Sequence, residues 1–286
     1  MPGRPKRLVI GVWQGRCYDN EPERNFARAA EVIGEAAEAG CDFVCMPEGF
    51  LTGYGTREIV TKQAIRLDDE RLLNLARLAG KRRIVALVGL SEKRGRRIYN
   101  TEAVLDRGRV AGTYSKTMLT EGDVEAGYTP GDTIPVFRAK GVCFGIQICH
   151  DTSFPELTST LSWKGAQILF TPHYNHLPSN VMNDHRIRVR GNHIGLAAHY
   201  SLVVARSNVV VSHIDGSPGY GDSAIFAPNG SPIVEAGLFT EKLIFADVAP
   251  HLTKDRWRSR KELRPSILDR LDKAARKGLS DKHLQI

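Results

Sequence analysis

Short apolar runs alternate with longer amphipathic stretches along most of the chain. The first run, residues 7–14, is almost entirely apolar, which is typical of a strand that is buried on both faces of a sheet. Similar runs, bounded by glycine, proline or charged residues, predict further strands. These are residues 41–46, 84–90, 98–105, 110–114, 142–149, 167–171, 202–208, 223–226 and 243–248.

The stretches between these runs have the spacing of amphipathic helices. Residues 21–39 place Phe26, Ala29 and Ile33 on one stripe, and Gly40 closes the segment. Helices are also predicted at residues 68–80, 154–164 and 180–200. The alternation of strands and helices, without a low-complexity linker or an internal repeat, predicts an α/β protein. We expect one domain over residues 1–286, with a charged C-terminal arm from about residue 255.

The net charge of +8 raises the question of a nucleic-acid partner. The basic surplus is concentrated at residues 93–97, which resemble a hairpin tip, and at residues 254–282. Neither segment interleaves aromatic residues at stacking spacing, and the chain carries no nucleic-acid-binding signature. Charge runs of this kind are usually solvated faces, so we expect no nucleic-acid partner.

The number of cysteines and the length of the apolar runs together indicate the cellular location of the protein. No apolar stretch is long enough to cross a bilayer, and the run after the basic start is too short for a signal peptide. We therefore expect a cytoplasmic protein with no membrane partner. An odd number of cysteines then predicts reduced thiols, with Cys41 and Cys45 as buried structural residues. His173-x-x-His176 lacks a third ligand nearby, so no metal site is predicted.

Three reactive side chains come at or just after the ends of predicted strands. Glu48 follows the second strand, Lys116 follows the strand at residues 110–114, and Cys149 ends the run at residues 142–149. Ligand sites in α/β proteins gather beyond the carboxyl ends of strands, so these side chains are expected to converge. A carboxylate accepts the thiol proton, a thiolate attacks carbon, and an ammonium stabilises the developing oxyanion. The helix predicted after Cys149 favours its thiolate form. Taken singly, the three residues also fit a helix cap, a surface charge and a small core residue.

The segments around these residues resemble the nitrilase superfamily of carbon–nitrogen hydrolases. That family carries a Pro-Glu segment, a Tyr-x-Lys-x-x-Leu segment and a Cys-x-Asp-x-x-Phe-Pro-Glu segment in this order. Here they are residues 47–48, 114–119 and 149–156, with Glu48, Lys116 and Cys149 at the catalytic positions. The similarity extends to Gly-Tyr-Thr-Pro-Gly-Asp at residues 127–132 and to residues 221–230. It covers about residues 7–250.

The resemblance implies a four-layer α-β-β-α sandwich whose two sheets pack face to face, in a homodimer or a higher homo-oligomer. It also implies that the reaction needs no metal or organic cofactor. A second glutamate often lines the site shortly before the Pro-Gly-Asp turn; Glu125 fits this place best, and Glu121 is the alternative. Both also fit a solvated acidic loop.

The activity implied is hydrolysis of a small-molecule amide to a carboxylic acid and ammonia through a Cys149 thioester. Glu48 would act as the base, Lys116 and the backbone N–H of His150 would hold the oxyanion, and Glu125 would orient Lys116 or water. Further residues are candidates for binding the substrate, although packing and capping roles also fit the residues after the strand ends. These candidates are Tyr54, His150, His173, Tyr174 and Asn175.

Other substrates remain open because His150 departs from the family's pattern. Nitrilases tend to have Trp directly after the nucleophile, and amidases commonly have Tyr. The main alternative is a hydrolase of N-carbamoyl amines, similar to N-carbamoylputrescine amidase, and a nitrilase is less favoured. A non-enzymatic binding protein is the outside interpretation. The basic run at residues 184–190 either faces the pocket, which favours an anionic substrate, or forms a solvated face.

Overall fold

Two six-stranded sheets form the centre of the protein. The computed structural model describes residues 7–210, 218–250 and residue 273. The first sheet has the order β12-β1-β2-β3-β4-β5, and the second has the order β11-β10-β9-β8-β7-β6. The first sheet consists of β1 (Leu8–Gln14), β2 (Phe43–Cys45), β3 (Val85–Arg94), β4 (Arg97–Asp106), β5 (Arg109–Ser115) and β12 (Lys242–Val248). The second sheet consists of β6 (Phe137–Ala139), β7 (Val142–Ile146), β8 (Ile168–Pro172), β9 (Val203–Ser207), β10 (Ala224–Phe226) and β11 (Pro232–Glu235).

The two sheets pack face to face through a buried apolar layer. Phe43 of the first sheet meets Phe144 and Phe170 of the second, with ring centroids 5.5 and 5.6 Å apart. Ile10 and Leu87 are fully buried in the same layer. Because both faces of each central strand are covered, these strands read as continuous apolar runs in the sequence.

Helices cover the outer face of each sheet. On the first sheet lie α1 (Pro22–Glu38) and α3 (Glu70–Arg82), which bury Phe26, Ile33 and Leu72 against it. On the second lie α5 (Pro155–Trp163) and α6 (Ser179–Tyr200), which bury Leu161 and Leu196. The layers are therefore α-β-β-α, which confirms the predicted fold class. Two shorter helices, α2 (Arg57–Gln63) and α4 (Glu121–Ala126), and a 3-10 helix, Cys149–Ser153, lie in the connections.

Parallel pairing brings the functional loops to one end of the sandwich. β1, β2 and β3 run parallel in the first sheet, as do β7, β8 and β9 in the second. The segments that follow β2, β7 and β8 carry Glu48, Cys149 and the residues from His173 to Asn175. The carboxyl ends of strands from both sheets thus supply the candidate site.

The predicted elements agree with the structure to within a few residues, and the differences have local causes. β2 is shorter than its apolar run. The strands β6 and β11 and the helices α2 and α4 were not predicted, since elements of three to seven residues are too short to show a clear periodicity. Cys41 and Cys45 are buried, as predicted, and all five cysteines are free. Within the described residues, no helix is long and apolar enough to span a bilayer. The C-terminal arm predicted from about residue 255 lies outside the described residues, apart from residue 273.

Candidate active site

Glu48 and Cys149 both contact the short segment that follows β8, at Tyr174 and Asn175. The backbone N–H of Tyr174 donates a hydrogen bond to Oε2 of Glu48 over 2.8 Å. The next side chain, Asn175, donates from Nδ2 to Sγ of Cys149 over 3.4 Å. Nζ of Lys116 lies 2.8 Å from the other carboxylate oxygen of Glu48. The structure therefore brings the three predicted catalytic side chains into one cluster.

Hydrogen bonds fix the carboxylate of Glu48 in one orientation. Oε1 accepts from Nζ of Lys116 and, over 2.7 Å, from Nδ2 of Asn100 on β4, while Oε2 accepts from Tyr174. The residue is fully buried, so these bonds replace water around its charge. These bonds hold the carboxylate beside Lys116 and beside the segment that contacts the thiol.

Lys116 lies between two carboxylates. Its Nζ is 2.8 Å from Oε1 of Glu48 and 2.8 Å from Oδ2 of Asp123. The lysine is buried, and burial alone lowers the pKa of an ammonium, but the charges around it prevail and hold the pKa of Lys116 well above its ordinary value. The buried side chain therefore keeps its positive charge.

Asp123 is a site residue that the sequence interpretation missed. It lies on α4, where its carboxylate and the Thr120 side chain form a capping box. Oδ1 of the same carboxylate accepts a hydrogen bond from the Tyr54 hydroxyl over 2.7 Å. The spacing Thr120-Glu-Gly-Asp123 was a readable signal, because this pattern marks a helix N-terminus.

Asp123, rather than Glu125 or Glu121, provides the second carboxylate beside Lys116. Both side chains are exposed, and Glu125 lies in the pocket wall, where its carbonyl oxygen accepts from Nε of Arg57 over 3.1 Å. Residues two positions apart on a helix point about 200° away from each other. Asp123 faces Lys116, so the glutamates on either side of it point away from that ammonium.

A tight turn presents the thiol of Cys149. The residue has φ +49°, a left-handed conformation that costs a non-glycine residue about 1–2 kcal/mol. Asp151, which is fully buried, holds this turn through hydrogen bonds from the Ile148 backbone N–H and the Tyr114 hydroxyl. The other oxygen of Asp151 accepts from the backbone N–H of Met118 over 2.8 Å. Asp151 thus ties the turn of Cys149 to the segment that carries Lys116.

Burial, not the helix N-terminus, controls the acidity of Cys149. Burial raises the pKa of this thiol to about 12, and the charge of Glu48 adds to the effect, while Lys116 opposes it. This direction is opposite to the favoured thiolate that was expected, and the element that follows Cys149 is a five-residue 3-10 helix. The raised pKa favours the thiol form, and a neutral thiol becomes a strong nucleophile when a base takes its proton.

A cavity of about 660 Å³ opens above these groups. Lys116 and Cys149 line it, and all five predicted substrate-binding residues lie in its wall. Burial and the charge of Lys116 lower the pKa of His150, which packs edge-on against Phe154. The five wall residues are Tyr54, His150, His173, Tyr174 and Asn175.

The basic run at residues 184–190 divides between two surroundings. Arg188 lines the cavity together with His185, whereas Arg190 and Arg186 approach Asp222, at 2.8 and 3.7 Å. One arginine of the run therefore faces the pocket. Among the described residues, no group of three His, Cys, Asp or Glu side chains is placed to hold a metal ion.

Glu102 is a second buried carboxyl close to Glu48. It lies on β4, is fully buried, and neither of its carboxyl oxygens has a hydrogen-bond partner within the described residues. Burial, reinforced by the charge of Glu48, raises the pKa of Glu102 well above its ordinary value of about 4.5. The folded protein is therefore most stable while Glu102 is protonated. Its free energy of unfolding falls as the pH rises above the pKa that Glu102 has in the unfolded chain, toward the pKa that it has in the folded protein.

Replacing Glu102 with Gln should stabilise the protein at pH 8 relative to the wild type. The amide stays neutral, so the advantage should grow by about 1.4 kcal/mol per pH unit above the unfolded-state pKa. Denaturant unfolding at pH 5.5 and 8 measures the difference. As a control, Glu92→Gln should lower stability, since that buried carboxylate binds Arg94. A Glu102→Gln advantage that is the same at both pH values contradicts the prediction.

The fold and the clustered side chains define an α-β-β-α hydrolase with a cysteine at the base of its pocket. A family model described as carbon–nitrogen hydrolase matches residues 9–257. The chain therefore belongs to the carbon–nitrogen hydrolase family, which confirms the resemblance to the nitrilase superfamily. It is a hydrolase acting on carbon–nitrogen bonds other than peptide bonds, so the interpretation as a binding protein is not supported.

Relatives with known names span nearly the whole chain. A citrullinase from Francisella tularensis is 30% identical over 92% of this chain and 98% of its own length. A protein described as "Hydrolase in pqqF 5'region" from Pseudomonas protegens is 31% identical over 94% of this chain and 93% of its own. The amidase from Nesterenkonia sp. AN1 superposes with a TM-score of 0.79, at 22% identity, over 94% of this chain and 98% of its own. That likeness confirms the fold.

Proposed function

We propose that the protein hydrolyses a small-molecule amide to a carboxylic acid and ammonia through a thioester on Cys149. The observation that carries this proposal is the buried line of charges Glu48–Lys116–Asp123 beside the thiol at the base of the cavity. It supplies a base, a cation and a nucleophile in one place. A mutant of the Nesterenkonia amidase carries the acetamide moiety of fluoroacetamide on its active-site cysteine, so that cysteine reacts as a nucleophile, which supports the nucleophilic role proposed for Cys149.

In the first step Glu48 accepts the proton of Cys149 as Sγ forms a bond to the amide carbon. The carbonyl oxygen becomes an oxyanion, which the Lys116 ammonium and the backbone N–H of His150 stabilise. Glu48 then gives its proton to the amide nitrogen, the carbon–nitrogen bond breaks, and ammonia leaves. The raised pKa of Cys149 favours this coupled proton transfer, because it disfavours the thiolate before the substrate binds.

In the second step water hydrolyses the thioester. Glu48 accepts a proton from water as the oxygen attacks the acyl carbon, and Lys116 again holds the oxyanion. The carbon–sulfur bond breaks with its electron pair on Sγ, and the proton on Glu48 returns to the thiolate. The carboxylic acid leaves, and the enzyme returns to its starting protonation state.

A hydrolase of N-carbamoyl compounds is the second candidate. The citrullinase relative and the cationic Arg188 in the pocket wall favour it, since a ureido acid carries a carboxylate that an arginine binds well. Hydrolysis of such a compound by the same steps releases ammonia and a carbamic acid, which loses carbon dioxide and leaves an amine. Arg188 equally fits an amide that carries a distal carboxylate.

A panel of substrates distinguishes these candidates. Aliphatic amides, dicarboxylic acid monoamides, ureido acids and nitriles are compared at equal concentration, with ammonia and carbon dioxide measured separately. We expect ammonia without carbon dioxide from amides. Arg188→Leu should raise the KM of the monoamides about tenfold and leave neutral amides unchanged, because a charge-assisted contact is worth about 1.5–3 kcal/mol. Faster release of both gases from ureido acids establishes the second candidate, and no ammonia from any compound overturns both.

We further propose that residues 1–286 form one domain that assembles into a homodimer or a higher oligomer in the cytoplasm. Helix α6 supports the assembly, because Val181, Ile187 and Ile194 expose 38–57% of their surface along it. Apolar side chains exposed along one helix are typical of an interface. Light scattering measures the oligomer mass, and a monomer at micromolar concentration contradicts this proposal.

A further inference from the structure

Arg206 is a buried cation that the reaction steps leave unused. It lies on β9 in the second sheet and is 2% exposed. Its Nη2 donates to Oδ1 of Asn175 over 3.0 Å, and its Nη1 donates to the carbonyl oxygens of Gly221 and Asp222. A buried guanidinium is costly unless its donors are satisfied, so this position demands a defined set of acceptors. Asn175 is one of them.

The hydrogen bonds around Asn175 decide which end of its carboxamide faces the nucleophile. Oδ1 accepts from Arg206 and, over 3.1 Å, from the hydroxyl of Tyr220. Since both partners are donors, the oxygen must lie on their side, and the NH₂ group must lie on the other. There it donates to Sγ of Cys149 over 3.4 Å. The backbone N–H of Asn175 is held in turn by Oδ1 of Asn208 over 2.9 Å.

We propose that Arg206 is a positioning residue that orients the Asn175 carboxamide, so that its NH₂ group donates a hydrogen bond to Cys149 and stabilises the thiolate. A thiolate forms transiently as Glu48 removes the proton and again when the carbon–sulfur bond breaks. A hydrogen-bond donor to the sulfur stabilises the thiolate at both moments, because hydrogen bonding to a charged form stabilises it. Arg206 itself touches neither the substrate nor the sulfur in this account.

Several charged groups also face the thiol and must stay constant in a test. Glu48 and Asp123 raise the pKa of Cys149, Lys116 lowers it, and burial dominates all three. The substitutions at Arg206 and Asn175 do not alter any of these side chains. The inference rests on the proposed role of Cys149, but its test reads the reactivity of the sulfur directly. A failure of the proposed function, seen as turnover without Cys149, is therefore distinguishable from a failure of this inference.

The test is alkylation of Cys149 by iodoacetamide at pH 8, followed by mass spectrometry of the peptide that carries it. Asn175→Leu and Arg206→Met should each lower the rate constant about three- to tenfold, since the lost thiolate is partly offset by higher intrinsic nucleophilicity. The double variant should react no more slowly than Asn175→Leu alone, because Arg206 acts through Asn175. Independent effects that multiply in the double variant overturn the proposal, as does an unchanged rate in Asn175→Leu.

Two further variants guard against a general disturbance. Tyr220→Phe removes the second donor to Oδ1 of Asn175 with almost no change in volume. We expect a smaller decrease in the alkylation rate than in Arg206→Met. If Arg206→Met does not fold, the rate of Tyr220→Phe is the deciding measurement. Arg186→Met is the matched control. Arg186 also approaches Asp222, but no hydrogen bond joins it to Asn175 among the described residues. Its alkylation rate should equal that of the wild type, and a decrease as large as that of Arg206→Met contradicts the proposal.

Discussion

Replacing Cys149 with Ala should abolish ammonia release and leave the protein folded. The variant removes the sulfur that forms the acyl bond, and loss of a nucleophile lowers kcat by several orders of magnitude. Alanine tolerates the left-handed backbone of this turn no worse than cysteine does, and Asp151 still holds the turn. Ammonia release under saturating amide and the thermal unfolding midpoint are the two measurements.

Cys143→Ala is the matched control for this loss. Cys143 lies on β7, shortly before the nucleophile, and is buried against the second sheet. Its replacement should lower stability modestly, by about 1 kcal/mol, and preserve turnover. Residual activity of Cys149→Ala above about 1% of the wild type would exclude Cys149 as the nucleophile.

Glu48→Gln should affect turnover and thiol reactivity in opposite directions. Glutamine has the size of glutamate but cannot accept the thiol proton, so kcat should fall by about 10²–10⁴. The charge of Glu48 is also one of the causes that raise the pKa of Cys149, while Lys116 lowers it. Without the carboxylate, the remaining ammonium should lower that pKa, and alkylation of Cys149 at pH 8 should become faster. Amide turnover and iodoacetamide kinetics measure the two effects.

The opposite signs make this variant informative. A misfolded protein would lose both amide turnover and selective alkylation of Cys149, or would expose every cysteine to the reagent. Loss of the base alone lowers turnover and raises the alkylation rate. Glu92→Gln serves as the control, because that buried glutamate pairs with Arg94 away from the pocket and should change neither rate. Turnover close to that of the wild type in Glu48→Gln would rule out Glu48 as the base.

The fold was predictable because its two central layers are covered on both faces. Complete burial makes strands such as β7 and β8 appear as short apolar runs, and the helices that cover them show one apolar stripe. Glu48, Lys116 and Cys149 stand out for a related reason. Each is a reactive residue at or just after the end of a predicted strand.

The rest of the site depends on contacts between distant segments. Asp123 sits on a six-residue helix, and its contact with Lys116 follows from how that helix packs. Arg206 lies within an apolar run, and no neighbouring residue in the sequence indicates that its guanidinium group reaches Asn175. The acidity of Cys149 also escaped prediction, since burial is a property of the folded protein and is the largest cause of the raised pKa.

The interface between the sheets carries a consequence for how activity depends on folding. Glu48 and Lys116 extend from the first sheet, whereas Cys149 and Asn175 extend from the second. A collapsed state that keeps its secondary structure but loses fixed packing between the sheets would separate base from nucleophile. Catalysis is therefore a direct reporter of sheet docking, and refolding chains should regain far-ultraviolet circular dichroism before they regain turnover.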